Sequence, residues 1–210
     1  PASAADGRRL TITRGKDTFI FNTDTRAEDV FRADAVSLSW SSTSRTTFVR
    51  NRALWITNPG GRDERQLVEA DASEDVAIRS PRFSPNSLQI AFIKSQLDLR
   101  GEVWTVDVLS GSAQIVVGDR ATENPFDVGW IIDARHLVYL TNRAGSYSLW
   151  HIDFAESTNL PLTQPLVTVP LSRIGMGVWN DRIVLPRHFV DSNIVLSDGT
   201  PVATSDKIEI

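Results

Sequence analysis

Residues 137–153 read LVYLTNRAGSYSLWHID. An apolar run, a polar Asn-Arg-Ala-Gly tip and a second apolar run closing on Trp150 and Asp153 predict a β-hairpin. Nearly the same phrase stands at 90–107 (IAFIKSQLDLRGEVWTVD), at 46–57 (TTFVRNRALWIT) and at 10–22 (LTITRGKDTFIFN). One hairpin says little about a fold. A hairpin that recurs along the whole chain points to a repeat architecture.

The repeat can be indexed on the aromatic of each second run: Phe19, Trp55, Trp104 and Trp150, with Val195 in that place in a fifth copy, DSNIVLSDGT. The intervals are 36, 49, 46 and 45 residues. A second column lies upstream, at Trp40, Phe83, Trp130 and Trp179, each followed by an apolar run: TTFV, QIAFI, HLVYL and RIVL. A third column follows the first: VFRA, QLVEA, QIVVGD, PLTQ and, sooner in the last copy, PVAT. Each unit therefore holds four short apolar segments separated by Gly, Pro, Asn, Asp and Ser. Val, Ile, Phe, Tyr and Trp dominate them, which is strand chemistry, and no window carries a helical period.

Four strands per unit of roughly 40–45 residues is the blade of a β-propeller. A four-stranded blade has two faces and cannot hide both alone, so blades stack around an axis. Recurring aromatics fill the wedges between them, each burying about 150–250 Å². The repeated Trp residues are accordingly read as core packing rather than as ligand platforms. The fold class is all-β, a single domain over 1–210 with about five four-stranded antiparallel blades, at approximately 1–33, 34–72, 78–119, 124–165 and 172–205.

The units resemble the TolB-like propeller repeat, also called the WD40-like or PD40 repeat. The third copy, SPRFSPNSLQIAFIKSQLDLRGEVWTVDVLSG, carries the resemblance through Pro81, Phe83, Ser84, Pro85, Ile90, Ala91, Phe92, Trp104 and Asp107. Asn86-Ser87 stands where the family has Asp-Gly. DARHLVYLTNRAGSYSLWHID fits in the fourth copy and DGRRLTIT in the first, while the second and fifth are eroded. The first copy opens at its second strand. Either KIEI at the C-terminal end supplies the missing inner strand and closes a five-bladed ring, or the units belong to a larger or partial propeller. An open ring would expose sheet edges and self-associate.

Composition bounds the function. Apolar residues make up 41% of the 210 residues and charged residues 23%, with a formal charge of −4 and no basic block, so nothing points to nucleic acid. Absence of cysteine excludes disulfides, thiolate catalysis and Cys-ligated zinc. No apolar run reaches the ~18 residues of a membrane span, so no insertion into a membrane is expected of this chain. The start PASAADG, without Met, reads as a mature form or an excised piece.

No catalytic residue is assigned, and no metal or cofactor is expected. There is no Gly-x-Ser-x-Gly elbow. His136, His151 and His188 are taken to lie in different units, as exposed strand or turn residues. The acids of DFAESTN and TDTRAED lack calcium-loop spacing. Gly175 and Gly177 read as relief for close packing near the axis. Arg14, Arg52, Arg100 and Arg143 recur at hairpin tips, and LPRHFVD at 185–191 is locally basic and aromatic. Both are weighed as binding surfaces and set below the simpler reading of solvated loops, so the binding residues stay unknown.

The resemblance implies a non-catalytic module that binds or senses a protein or peptide. It would be periplasmic or otherwise extracytoplasmic, and part of a larger protein such as a membrane-anchored transcriptional regulator or a TolB-like component. The alternative is the substrate-gating propeller of a prolyl-oligopeptidase-type serine peptidase.

Overall fold

The computed structural model describes residues 7–32, 34–58, 62–70, 75–96, 101–118, 124–131, 133–143, 146–162, 176–179, 182–187, 193–196 and 201–203. All its regular structure is β, in five antiparallel sheets that follow one another along the chain. The first has three strands: β1 (Arg9–Arg14), β2 (Asp17–Asn22) and β3 (Glu28–Arg32). It lacks an inner strand among the described residues. KIEI lies outside them.

The other four sheets are meanders of four strands. The second holds β4 (Val36–Trp40), β5 (Thr46–Arg50), β6 (Ala53–Ile56) and β7 (Arg65–Glu69). The third holds β8 (Ala77–Phe83), β9 (Gln89–Ser95), β10 (Gly101–Asp107) and β11 (Ala113–Val117). The fourth holds β12 (Pro125–Trp130), β13 (His136–Arg143), β14 (Ser146–Asp153) and β15 (Thr158–Pro161). The fifth holds β16 (Gly177–Trp179), β17 (Arg182–Arg187), β18 (Asn193–Leu196) and β19 (Pro201–Ala203). First strands of successive sheets pack side by side, β4 with β8, β8 with β12 and β12 with β16. That places the first strands at the axis and the last at the rim, as in a propeller.

The apolar runs show why the blades stack. Along β9, Ile90 and Phe92 enter the core shared with the second blade, and Ala91 and Ile93 enter the core shared with the fourth. Along β13, Leu137 and Tyr139 face the third blade, and Val138 and Leu140 face the fifth. Successive strand residues point to opposite faces, so a blade covered on both faces needs an unbroken apolar run. IAFI and LVYL are such runs. Each side chain buried this way contributes about 1.5–3 kcal/mol.

The aromatic columns divide by depth. Phe83 and Trp130, at the ends of the axial strands, are buried. Trp55, Trp104 and Trp150 are half-buried, packed against the seams on one side. Cations cover two of them and Phe19: Arg14 lies 5.3 Å from the Phe19 ring centre, Arg50 4.6 Å from Trp55 and Lys94 4.0 Å from Trp104.

Three residues beyond each anchor stands Asn22, Asn58, Asp107 or Asp153. Each side-chain oxygen caps the turn into the outer strand. Asp107 Oδ1 accepts from the amides of Leu109 (3.0 Å) and Ser110 (2.7 Å), and Asp153 Oδ1 from Ala155 (2.8 Å). Asn22 Oδ1 receives Asp24 N at 2.9 Å, and Asn58 Oδ1 receives Arg62 N at 3.0 Å. The capped turn corrects one expectation. The described outer strand of the fourth blade is Thr158–Pro161, which begins three residues before PLTQ because Asp153 closes a turn tight enough to pair Thr158 with itself; Thr163 and Gln164 lie outside the described residues. The hairpin tip of that blade is also shorter than expected. Asn142 and Arg143 already pair with Tyr147 and Ser146.

The Asn86-Ser87 departure has a structural counterpart. Ser87 takes the left-handed backbone (φ 60°) that glycine adopts freely, at a cost of about 1–2 kcal/mol. In return its hydroxyl reaches Ser42 of the preceding blade, with Oγ–Oγ at 2.7 Å. The glycine of the usual motif could not make this link.

Candidate functional site

Charged side chains inside β8 and β12 mark the axial wall between the third and fourth blades. Both strands are bulged: pairing slips between Arg79 and Arg82 in one and between Pro125 and Asp127 in the other. β4 slips likewise between Val36 and Ser39. Ser37 and Ser80 sit within these slips at φ 55° and 50°. A bulge inserts an unpaired residue and re-aims its neighbours. Here it frees Arg79, Arg82 and Asp127 from the regular alternation that would bury or expose them in turn.

Asp127 is the centre of this wall. Its side chain is 6% exposed. Oδ1 accepts from its neighbour Val128 N at 2.9 Å and from Arg82 Nη2 at 3.4 Å, and Oδ2 accepts from Met176 N at 2.8 Å. One carboxylate thus joins three consecutive blades. Trp130 adds a second link by donating Nε1–H to Arg82 O at 3.1 Å.

Arg79 is held differently. Its Nη2 donates to Pro125 O at 2.8 Å, and its guanidinium lies 5.9 Å from the Phe126 ring centre. Burial pulls the guanidinium below the ordinary arginine value, and the Asp127 charge opposes that shift. It forms no salt bridge with a described carboxylate, and its buried Nε–H has no hydrogen-bond partner among the described residues. Phe126 packs on Tyr147 with ring centres 5.3 Å apart. Arg79, Asn124 and Phe126 remain partly open to solvent. The wall therefore offers a poorly solvated cation beside an aromatic surface, which suits an anionic group carried on an apolar or peptide ligand.

Comparison with known proteins adds the architecture. No family model matches the chain, and no curated protein matches it. Solved structures do. The putative TolB of Agrobacterium tumefaciens aligns over 95% of this chain and 77% of its own, at 13% identity and a TM-score of 0.69. XC5397, a gluconolactonase of Xanthomonas campestris, aligns over 96% of this chain and 73% of its own, at 12% identity and 0.69. A chain of the nidogen/laminin complex aligns over 94% of this chain and 80% of its own, at 8% identity and 0.66. The fold is a TolB-like β-propeller. A gluconolactonase and a chain of the nidogen/laminin complex share it, so the fold alone assigns no reaction.

Among the described residues, Arg14 and Arg52 each meet a carboxylate near their own hairpin. Arg14 is bound to Glu28 in its own blade at 2.5 Å, and Arg52 to Asp75 at 3.3 Å. Each has its own carboxylate, so these two are not directed to a common ligand. Arg100, Gly175 and His188, and the side chain of Arg143, lie outside the described residues. Gly177 opens β16, paired with Val184.

The histidines need correction. His136 and His151 belong to one blade, on neighbouring strands, and their rings stack 5.2 Å apart. Strand pairing brings positions 15 residues apart onto the same face. His136 lies between two carboxylates, with Nδ1 2.8 Å from Asp133 and Nε2 3.4 Å from Asp153. Asp153 is committed to its turn and Asp133 to the amides of Arg135 and His136. The cluster ties two turns of the blade together.

Sequence reasoning missed Arg79, Arg82, Asn124, Asp127 and Tyr147. A usable signal was present. Arg79 and Arg82 precede Phe83 by four and one, and Asp127 precedes Trp130 by three, inside strands that also carry buried residues. Charges within a buried strand require partners.

Proposed function

We propose that this propeller is a binding or sensing module for a protein or peptide, acting outside the cytoplasm as part of a larger protein. A membrane-anchored regulator or a TolB-like component would be such a protein. The partner is seated over the axial wall of β8 and β12. The observation that carries the reading is Arg79, a half-buried cation against Phe126 with an unengaged Nε–H. Such a group is costly to keep unless something completes it. The structural likeness to a chain of the nidogen/laminin complex, itself an assembly of proteins, is consistent with a binding role.

The test is a binding screen with a footprint. Acetylated random hexapeptides are arrayed, and binders are measured in solution by fluorescence anisotropy. Amide hydrogen exchange then maps where they sit. Saturable binding with protection over residues 77–83 and 124–130 is the expected result. An array without binders, or protection confined to the rim strands, would refute the reading.

A further inference from the structure

Four buried side-chain polar atoms lack a hydrogen-bond partner among the described residues: Trp40 Nε1, Arg79 Nε, Asn124 Oδ1 and Tyr147 Oη. Three of them belong to side chains gathered around one tripeptide, Asn124-Pro125-Phe126. Arg79 is bonded to Pro125 O, Tyr147 packs on the Phe126 ring, and Asn124 belongs to the tripeptide itself. The backbone of Asn124 is satisfied. Asn124 N donates to Thr141 Oγ1 at 3.1 Å, and Asn124 O accepts from Asn142 N at 3.0 Å. The three unpaired atoms are all side-chain atoms; Tyr147 is buried in the seam of the fourth and fifth blades, and Arg79, Asn124 and Phe126 are partly open to solvent.

Native proteins leave few buried polar groups unpaired, and each such group calls for an explanation. Three around one tripeptide, of complementary kinds, constrain what would complete them. Arg79 offers a charged N–H and Tyr147 a hydroxyl, both donors to a carboxylate. Asn124 Oδ1 accepts, and so requires a donor on the same ligand. Phe126 and Tyr147 supply an apolar surface beside them. An inorganic anion that carries no proton at neutral pH, such as sulfate, would serve the donors and leave Asn124 unpaired. A primary amine would serve Asn124 and be repelled by Arg79.

We infer that this site takes the free C-terminal end of a polypeptide. The terminal carboxylate accepts from Arg79 Nε–H and Tyr147 O–H, the last residue's own N–H donates to Asn124 Oδ1, and its side chain lies on Phe126. The inference rests on the binding reading above and names the chemical group that reading leaves open. Charge-assisted bonds to a carboxylate are about twice as strong as neutral ones, and a guanidinium is their best geometric match. Blocking the carboxylate as a carboxamide removes the charge and turns one acceptor into a donor facing Arg79.

The experiment uses the hexapeptide array in two forms, identical except for a free carboxylate or a carboxamide at the end. Affinities of matched pairs are measured on the wild-type chain, on Arg79→Gln and on Tyr147→Phe. N-acetylated single amino acids are run beside them, to separate a polypeptide end from a small acyl amino acid of the same chemistry. The expected result is a preference of about tenfold or more for the carboxylate form on the wild type. In both variants that preference falls to within about threefold, and the single acyl amino acids bind more weakly than the peptides. Tyr147→Phe keeps the ring and its packing, so a preference lost there reports the hydroxyl and not misfolding. Equal affinity of the two forms, with protection still over β8 and β12, would overturn this inference and leave the binding module standing. A preference unchanged by both variants would also overturn it. An array on which neither form binds would sink both readings together.

Discussion

Removing the Asp127 carboxylate should loosen three blades at once. In Asp127→Ala the amides of Met176 and Val128 lose their acceptor inside the protein, since Met176 is 6% exposed and Val128 fully buried. An orphaned buried donor costs about 1–3 kcal/mol, so the pair costs about 2–6 kcal/mol. Arg82 adds little, because a side chain one-third exposed re-solvates when its partner goes. For a chain of this size 1 kcal/mol moves Tm by about 2–4 °C, which gives a fall of roughly 4–24 °C. Asp127→Asn keeps one acceptor and should lose about half as much. The assay is urea unfolding followed by tryptophan fluorescence, with thermal circular dichroism as the second probe. If Asp127→Ala stayed within about 0.5 kcal/mol of wild type, the carboxylate would not be the link between blades described above.

Three further outcomes follow from the same reasoning. Tyr147→Phe should raise Tm of the unliganded protein by a few degrees, since it deletes a buried hydroxyl without a partner; a drop in the melting curve would mean that the hydroxyl is satisfied in solution. Gly129→Ala should destabilise the seam between the fourth and fifth blades by about 1–3 kcal/mol, because the new methyl would meet Val178 Cγ2 at 2.6 Å; urea midpoints equal to wild type would show that the seam can give way. Acid sensitivity should trace partly to Asp107, whose carboxyl is held below its ordinary value by the Ser110 amide and hydroxyl. A depressed folded value means that its stabilisation is complete above the unfolded carboxylate value of about 3.9 and fades as pH drops through the lower folded value. Asp107→Asn should therefore lose less Tm than wild type between pH 6 and pH 3, and parallel losses would contradict this.

What was legible in the sequence is what the repeat enforces in every blade. Trp55, Trp104 and Trp150 mark the third strands and Phe83 and Trp130 the axial ones, because each seam needs a large side chain at the same place. The Asp of the motif was legible as a motif residue, and its turn-capping role is seen in Asp107 and Asp153. The axial wall followed no repeat. The position three before the inner aromatic is Ser37, Ser80, Asp127 and Met176 in successive blades, and the position just before it is Ser39, Arg82, Gly129 and Val178. A column whose chemistry changes from blade to blade gives no periodic signal. His136 and His151 both fall within 124–165, so their separation into different units was against the repeat itself; what the repeat does not give is their stacking. Their contact depends on strand register, and counting along the chain does not show it.

The repeat suggests interchangeable parts, but the seams do not. The first blade is tied to the second by Thr18 donating to Ala35 O, the second to the third by Ser42–Ser87 and Arg65–Val108 O, the third to the fourth by Arg79, Arg82 and Trp130, and the fourth to the fifth by Asp127. Each fastening uses different residue types, drawn from positions the repeat leaves free. A blade copied by gene duplication and inserted elsewhere would bring its apolar faces but half of two mismatched fastenings. Lineages carrying this arrangement should therefore change blade number rarely, and diverge instead by point substitution within a fixed order.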